Sequence, residues 1–162
     1  MPDGRSCVDL AMECALRVKE ERDWALVSTD DRTLVPRWPV TERPAITQDY
    51  DKVIDEARRI LVARDAFDTI VLLQPTSPLR TDAHVKAAID LYHASGASAV
   101  CTLSGDPLRR DGTVYVASRE TILQCGDWFG RTTRYIVLPE TVNIDTPADW
   151  DRAVEQLACS SK

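Results

Sequence analysis

The sequence predicts a single α/β domain with a mostly parallel sheet, and three observations predict it. Strand-like and helix-like segments alternate almost throughout; one of the strands, "FDTIVLLQ", is a continuous apolar run of the kind buried on both faces; and no repeat, low-complexity tract or interdomain linker interrupts the series. At 162 residues, 44% hydrophobic and 28% charged, the chain is long enough to bury one core. Residues 1–162 therefore read as one domain.

The elements follow in order. "SCVDLAMECALRVKEER" spaces Val8, Ala11, Ala15 and Val18 by three and four residues, with Ser6 able to cap the first turn, which predicts a helix. "WALVS" predicts a buried strand whose carboxyl end carries Thr29, Asp30 and Asp31, followed by the proline-rich connection "LVPRWPVTERPAIT". "DYDKVIDEARRILVARD" repeats Val53, Ala57, Ile60, Leu61 and Arg64 with helical period, predicting a second helix laid on the sheet. After "FDTIVLLQ", a third helix runs through "TDAHVKAAIDLYHASG", capped by Thr81 or Asp82 and stopped by Gly96. Strands "SAVCTL" and "GTVYVAS" flank a short "SGDPLRRD", and a helical patch "RETILQ" leads through an irregular stretch to strand "RYIVLP". The last segment opens a helix with Thr146 as cap, Pro147 at the first helical position and Asp149 three residues after the cap.

Composition excludes several functions. A formal charge of -6 without a Lys/Arg run argues against a nucleic-acid binder. The five cysteines are odd in number and contain no C-x-x-C pair, so reduced thiols and a cytoplasmic location are expected. Cys7 and Cys14 lie about 10 Å apart along one helix, too far to bridge. No apolar core follows Met1, so neither a signal peptide nor a membrane anchor is expected. His84 and His93 have no Cys or His partner nearby in sequence, and no serine sits in a G-x-S-x-G frame, so neither a zinc site nor a hydrolase triad is legible.

The stretch "LLQPTSPLR", Leu72 to Arg80, stands out. In parallel sheets ligands collect beyond the carboxyl ends of the strands, where this stretch falls. Pro75 and Pro78 restrict its backbone and leave the amide of Gln74 and the hydroxyls of Thr76 and Ser77 available to a ligand; a tight turn that merely caps the next helix is the other reading.

"LLQPTSPLR", together with "STDD", "DGTVYVASRE" and "NIDTPADWDRA" in that order, resembles the acylneuraminate cytidylyltransferase family, the CMP-sugar synthetases. The resemblance runs from about Gly4 to the end. It implies a Rossmann-like nucleotidyltransferase sandwich in which a sugar hydroxyl attacks the α-phosphate of CTP and expels pyrophosphate with help from magnesium. Carried over, Gln74 matches the glutamine that contacts the acidic sugar, with Thr76, Ser77 and Arg80 around it. Tyr115 matches the tyrosine of the family's "NG-x-x-Y" beside the same substrate. Asp145 in "NIDTP" matches one of two metal-holding aspartates of "DIDTP", with Asn143 where the other stands, a neutral ligand that weakens the site. Asp30 falls at the edge where the family's "STD" meets nucleotide. A homo-oligomer is the expected assembly.

Three departures qualify the match. The family's leading strand and glycine-rich triphosphate loop have no counterpart, since "MPDGRSCVDLAMECAL" matches the helix that follows them; the sheet is expected to lack a normally central strand, its gap closed by rearranged strands or by another subunit. Between Leu103 and Asp111 the family carries a longer segment; here Arg109 and Arg110 are read as solvated charge before any role at a sugar carboxylate. "AITQDYDKV", with Asp51, replaces a base-contacting stretch.

Overall fold

A computed structural model of the chain describes residues 1, 4–34, 36–42, 50–105, 108–139 and 141–160. Helix α1 spans Cys7–Val18 and begins where expected: the Ser6 side chain accepts from the Asp9 amide, and the Asp9 carboxylate accepts from the Ser6 amide. Asp9 is fully buried because its other oxygen takes the Trp38 indole Nε1 at 2.9 Å and the Arg37 guanidinium at 2.9 Å, which fastens the connection after β1 to α1. Strand β1, Val27–Thr29, pairs in parallel with β2, Val40–Glu42. The second strand lies inside the stretch read as a proline-rich connection; three residues beside Pro39 are too few to show a period.

Helix α2 covers Tyr50–Ala63, and β3 covers Thr69–Leu72. Helix α3, Asp82–Ser95, is capped by the Thr81 side chain and ends at Gly96 with φ of 60°, a left-handed stop that suits glycine. Strands β4, Ala99–Ser104, and β5, Arg109–Ser118, follow. One turn of π-helix at Thr121–Cys125 then leads to β6, Thr133–Val137, and to α4, Pro147–Ser160.

The main sheet has the order β3-β5-β4-β6. β5 runs antiparallel to both β3 and β4, whereas β6 is parallel to β4, so three of the four strands point one way. The reversal follows from the chain. No helix separates β4 from β5, and a short hairpin can join only antiparallel strands.

Side chains alternate between two faces, as the pleat requires. Val100, Val114 and Val116 pack with Cys14 of α1 and with Val85 and Ala88 of α3. Ala99, Cys101, Tyr115 and Ala117 pack with Ile54, Ala57 and Leu61 of α2 and with Ile122 and Trp128. The domain is thus a three-layer sandwich, and the α/β reading holds.

The β1–β2 pair and the main sheet are separate sheets. They share the α2 layer, since Ser28 donates to Glu56 at 2.7 Å, and the segments that lead into β1 and β3 meet where the Trp24 and Phe67 rings lie 6.0 Å apart. Among the described residues no strand lies between β1 and β3. β3 is accordingly less buried than its apolar sequence predicts, with Val71 36% exposed. Beside this division an apolar cavity of about 370 Å³ is lined by Leu16, Trp24, Leu26, Pro39, Val40 and Arg64 among others.

Candidate functional site

Between Cys101 and Tyr115, which face each other, and Leu103 and Arg110, which also do, β4 has one residue and β5 has four. Residues 111–114 therefore bow out of the ladder opposite Thr102. A bulge leaves backbone groups without strand partners, and buried ones must find others. Thr102 supplies two: its hydroxyl accepts from the Val114 amide at 3.0 Å and donates to the Asp111 carboxylate at 2.5 Å. The same Asp111 oxygen takes the Thr113 amide at 2.9 Å.

The loop after β3 satisfies two of the bulge's carbonyls. Ser77 donates its hydroxyl to the Asp111 carbonyl at 3.2 Å, and Arg80 donates from Nε to the Thr113 carbonyl at 2.6 Å and from Nη2 to the Gln74 carbonyl. Burial pushes the Arg80 guanidinium down to about 10. Gly112, at φ of 72°, lies directly under the Gln74 carboxamide, and a Cβ there would stand 2.1 Å from Gln74 Oε1. Here is the structural use of "PTSPLR": it locks onto the bulge of β5.

Three sequence assignments change with this geometry. Ser77 is only 2% exposed and turns its hydroxyl inward, and Arg80 gives its Nε and one Nη2 donor to two carbonyls, so both side chains fasten the loop. Tyr115 is 6% exposed, its ring packed 6.0 Å from Trp128 and 6.2 Å from Phe129, and burial raises its phenol to about 12. It belongs to the core beneath the site.

Other expected residues come together at the carboxyl edge. The Ile144 amide donates to the Thr76 carbonyl at 2.8 Å, which sets the segment before α4 against the loop after β3. Thr76 and Asp145 are exposed there, with Gln74 and Asn143 half-buried. Asn143 Nδ2 donates to Asp145 Oδ2 at 2.9 Å, and Asn143 Oδ1 is buried without a partner. Arg110 stacks over Phe129, 4.5 Å from its centroid. Asp30 stands apart, exposed at the end of β1 on the other sheet. Next to it, Asp31 accepts from the Thr33 amide and hydroxyl and so closes a local turn. Residues 45–49 of the altered base-contacting stretch lie outside the described residues, and of the Asp51 side chain nothing is described.

Asp111, Thr102 and Thr141 were not read from the sequence as site residues. The Thr141 hydroxyl donates to the second Asp111 oxygen at 3.1 Å. The available signal was the Asp-Gly pair opening "DGTVYV", since Asp before Gly marks a backbone that turns through positive φ.

A neutral amide oxygen with no partner beside a carboxylate suits a hard cation that completes its shell with phosphate and water. The residues present thus fit magnesium. Among the described residues no group of three or more His, Cys, Asp or Glu side chains gathers.

No protein-family model matches the chain. A search of curated proteins finds CMP-N,N'-diacetyllegionaminic acid synthase of Legionella pneumophila, 24% identical over 119 residues that cover 52% of this chain and 51% of that protein. The chain spans about half the length of this curated relative. Among solved structures, CMP:2-keto-3-deoxy-manno-octonic acid synthetase complexed with CTP superposes with a TM-score of 0.75 at 11% identity, covering 95% of this chain and 88% of that one. The chain is thus similar to a CMP-sugar synthase over part of its length and shares the fold of another. Rv0371c of Mycobacterium tuberculosis H37Rv, in complex with manganese, matches the chain with a TM-score of 0.68 at 13% identity, covering 94% of it and 88% of the neighbour. The Rossmann-like α/β sandwich expected from the motifs is the fold observed, and the CMP-sugar synthetase shares it. No helix among the described residues is long and apolar enough to cross a membrane.

Proposed function

We propose that the chain is a nucleotidyltransferase that moves CMP from CTP to an acidic sugar and releases pyrophosphate. The observation that carries this reading is the Thr76–Ile144 hydrogen bond, because it puts the polar loop after β3 and the Asn143–Asp145 pair on one accessible edge. The names of the two CMP-sugar synthases support the same reaction class. Gln74 and Thr76 bind and orient the acceptor, and Asp145 with Asn143 holds magnesium. When bound, that ion supplies charge stabilisation at the phosphates. Two copies paired through the exposed Tyr135 and Val137 of edge strand β6 belong to the same proposal.

A second reading, a non-catalytic binding or assembly protein of the same fold, is favoured by one observation. Arg80, the one cation in the loop after β3, is turned inward onto two carbonyls, and a triphosphate needs cations around its leaving group. Pyrophosphate release from CTP and magnesium across a panel of acidic sugars separates the readings. The enzyme reading expects release with at least one acceptor and a loss of about 100-fold or more in Asp145→Ala. Absence of release together with absence of CTP binding by calorimetry selects the second.

A further inference from the structure

We propose that Asp111 is a positioning residue that sets the distance between the acceptor loop and the metal-holding segment, acting through Thr141. The inference rests on the nucleotidyltransferase reading above and extends it to residues outside the ligand-facing edge.

Asp111 is a buried carboxylate, 8% exposed, whose hydrogen bonds divide by direction. One oxygen faces its own sheet, taking the Thr102 hydroxyl and the Thr113 amide. The other faces outward and takes the Thr141 hydroxyl at 3.1 Å. Its carbonyl takes the Ser77 hydroxyl of the loop after β3. One residue in a bulge is therefore bonded to both walls of the site.

The connection to Asn143 and Asp145 is short. Thr141 lies two residues before Asn143, and its hydroxyl also meets Ser104 Oγ at 3.1 Å, so it is held between β4 and the bulge. Ile144 is tied to Thr76. Thr141 and Ile144 thus clamp Asn143 from both sides and fix where its orphaned oxygen sits. A hydrogen bond to an ionised acceptor is stronger than a neutral pair, which suits a carboxylate better than an amide as the fixed point.

The geometry separates positioning from stability. Thr141→Val removes the outward bond and the Ser104 contact, and leaves every bond inside the bulge in place. Thr102→Val removes the inward bond and also orphans the Val114 amide, so it damages the fold more. A merely structural network would make magnesium dependence follow stability; a positioning network reverses the order.

The experiment measures magnesium-dependent CTP binding by calorimetry, the melting temperature, and Ile144 amide exchange by NMR in the wild type and four variants. Thr141→Val is expected to raise the magnesium concentration for half-maximal CTP binding about tenfold and to speed Ile144 exchange about tenfold, with a small loss of melting temperature. Thr102→Val is expected to melt lower yet keep magnesium dependence within about threefold of wild type. Thr141→Ser, which keeps the hydroxyl, restores wild-type values, and Asp111→Asn falls between. Wild-type magnesium dependence in Thr141→Val, or a shift that ranks the variants as their melting temperatures do, overturns the proposal. If the wild type binds no CTP, the nucleotidyltransferase reading fails; unchanged Ile144 exchange in Thr141→Val then overturns the positioning claim separately.

Discussion

Two strand-to-helix turns meet at the candidate site, and they are built in opposite ways. The turn from β3 to α3 is fastened inward: Ser77 and Arg80 reach buried carbonyls of β5, and Gln74 lies against Gly112. The turn from β6 to α4 is tied to the core only at Thr141 and Ile144, and its helix-proximal part, Asp145 to Asp149, is fastened locally and in the open. Asp149 Oδ2 accepts from the Asp145 and Thr146 amides and from the Thr146 hydroxyl, and Arg152 bonds its other oxygen at 2.5 Å. One wall of the site takes its whole shape from the core, and the other, anchored at Thr141 and Ile144, ends in a helix cap of its own. The first wall should therefore fail with the fold, and the cap of the second independently of it.

The largest effect expected from this contrast is on Arg80. Arg80→Met keeps most of the side-chain volume but leaves the Thr113 and Gln74 carbonyls without their donors in a buried place. A cost of about 3 kcal/mol is expected, read as a fall of roughly 8 °C in melting temperature. Unchanged melting would mean that Arg80 is not the clamp described. Because Arg80 is structural, CTP binding should be lost together with the fold and not before it.

An intermediate effect is expected at Gly112. A side chain there is strained at φ of 72°, at about 1–2 kcal/mol, and its Cβ would collide with the Gln74 carboxamide. The carboxamide is the free end of a flexible side chain, so it should swing away at little further cost. Gly112→Ala is thus expected to raise the KM for the acceptor about tenfold while the KM for CTP stays near wild type. Equal changes in both would show that Gln74 is not an acceptor contact.

The same contrast explains what could be read in advance. Helices α1, α3 and α4 were legible because their capping residues are local, and Ser6, Thr81 and Thr146 all begin helices as expected. The apolar run of β3 and the alternation of layers were equally plain. Strand β2 was missed because three residues carry no period. The inward roles of Ser77 and Arg80 were missed because they depend on a bulge 30 or more residues away in sequence, created by pairing between β4 and β5 that no local pattern encodes. A polar loop at a carboxyl edge looks the same in sequence whether its hydroxyls face a ligand or a neighbouring carbonyl. Only Thr76 of the two hydroxyls points outward.

The smallest effect expected is a local one on the α4 turn, and it has a pH signature. Asp149 is held down to about 2 from an ordinary 3.8, first by the bond from Arg152 and then by the Thr146 hydroxyl and the amides of the cap. A carboxyl whose folded value is depressed adds stability above its unfolded value and loses it as pH falls through the folded one. The cap should therefore be intact above about pH 4 and open progressively toward pH 2. Asp145 and Thr146 amide exchange, followed by NMR as the solution is acidified, should accelerate over that interval in the wild type and be fast and flat in Asp149→Asn. Thr146→Ala, which removes the reciprocal half of the cap, is expected to cost about 1 kcal/mol at neutral pH. The bonds of Ser77 and Arg80 to carbonyls contain no group that titrates in this interval, so exchange at Ser77, whose amide bonds the Gln74 carbonyl, should stay flat until the whole fold gives way. Acceleration at both turns over the same interval would mean that they open as one unit, and the division between a wall set by the core and a wall set by its cap would be wrong.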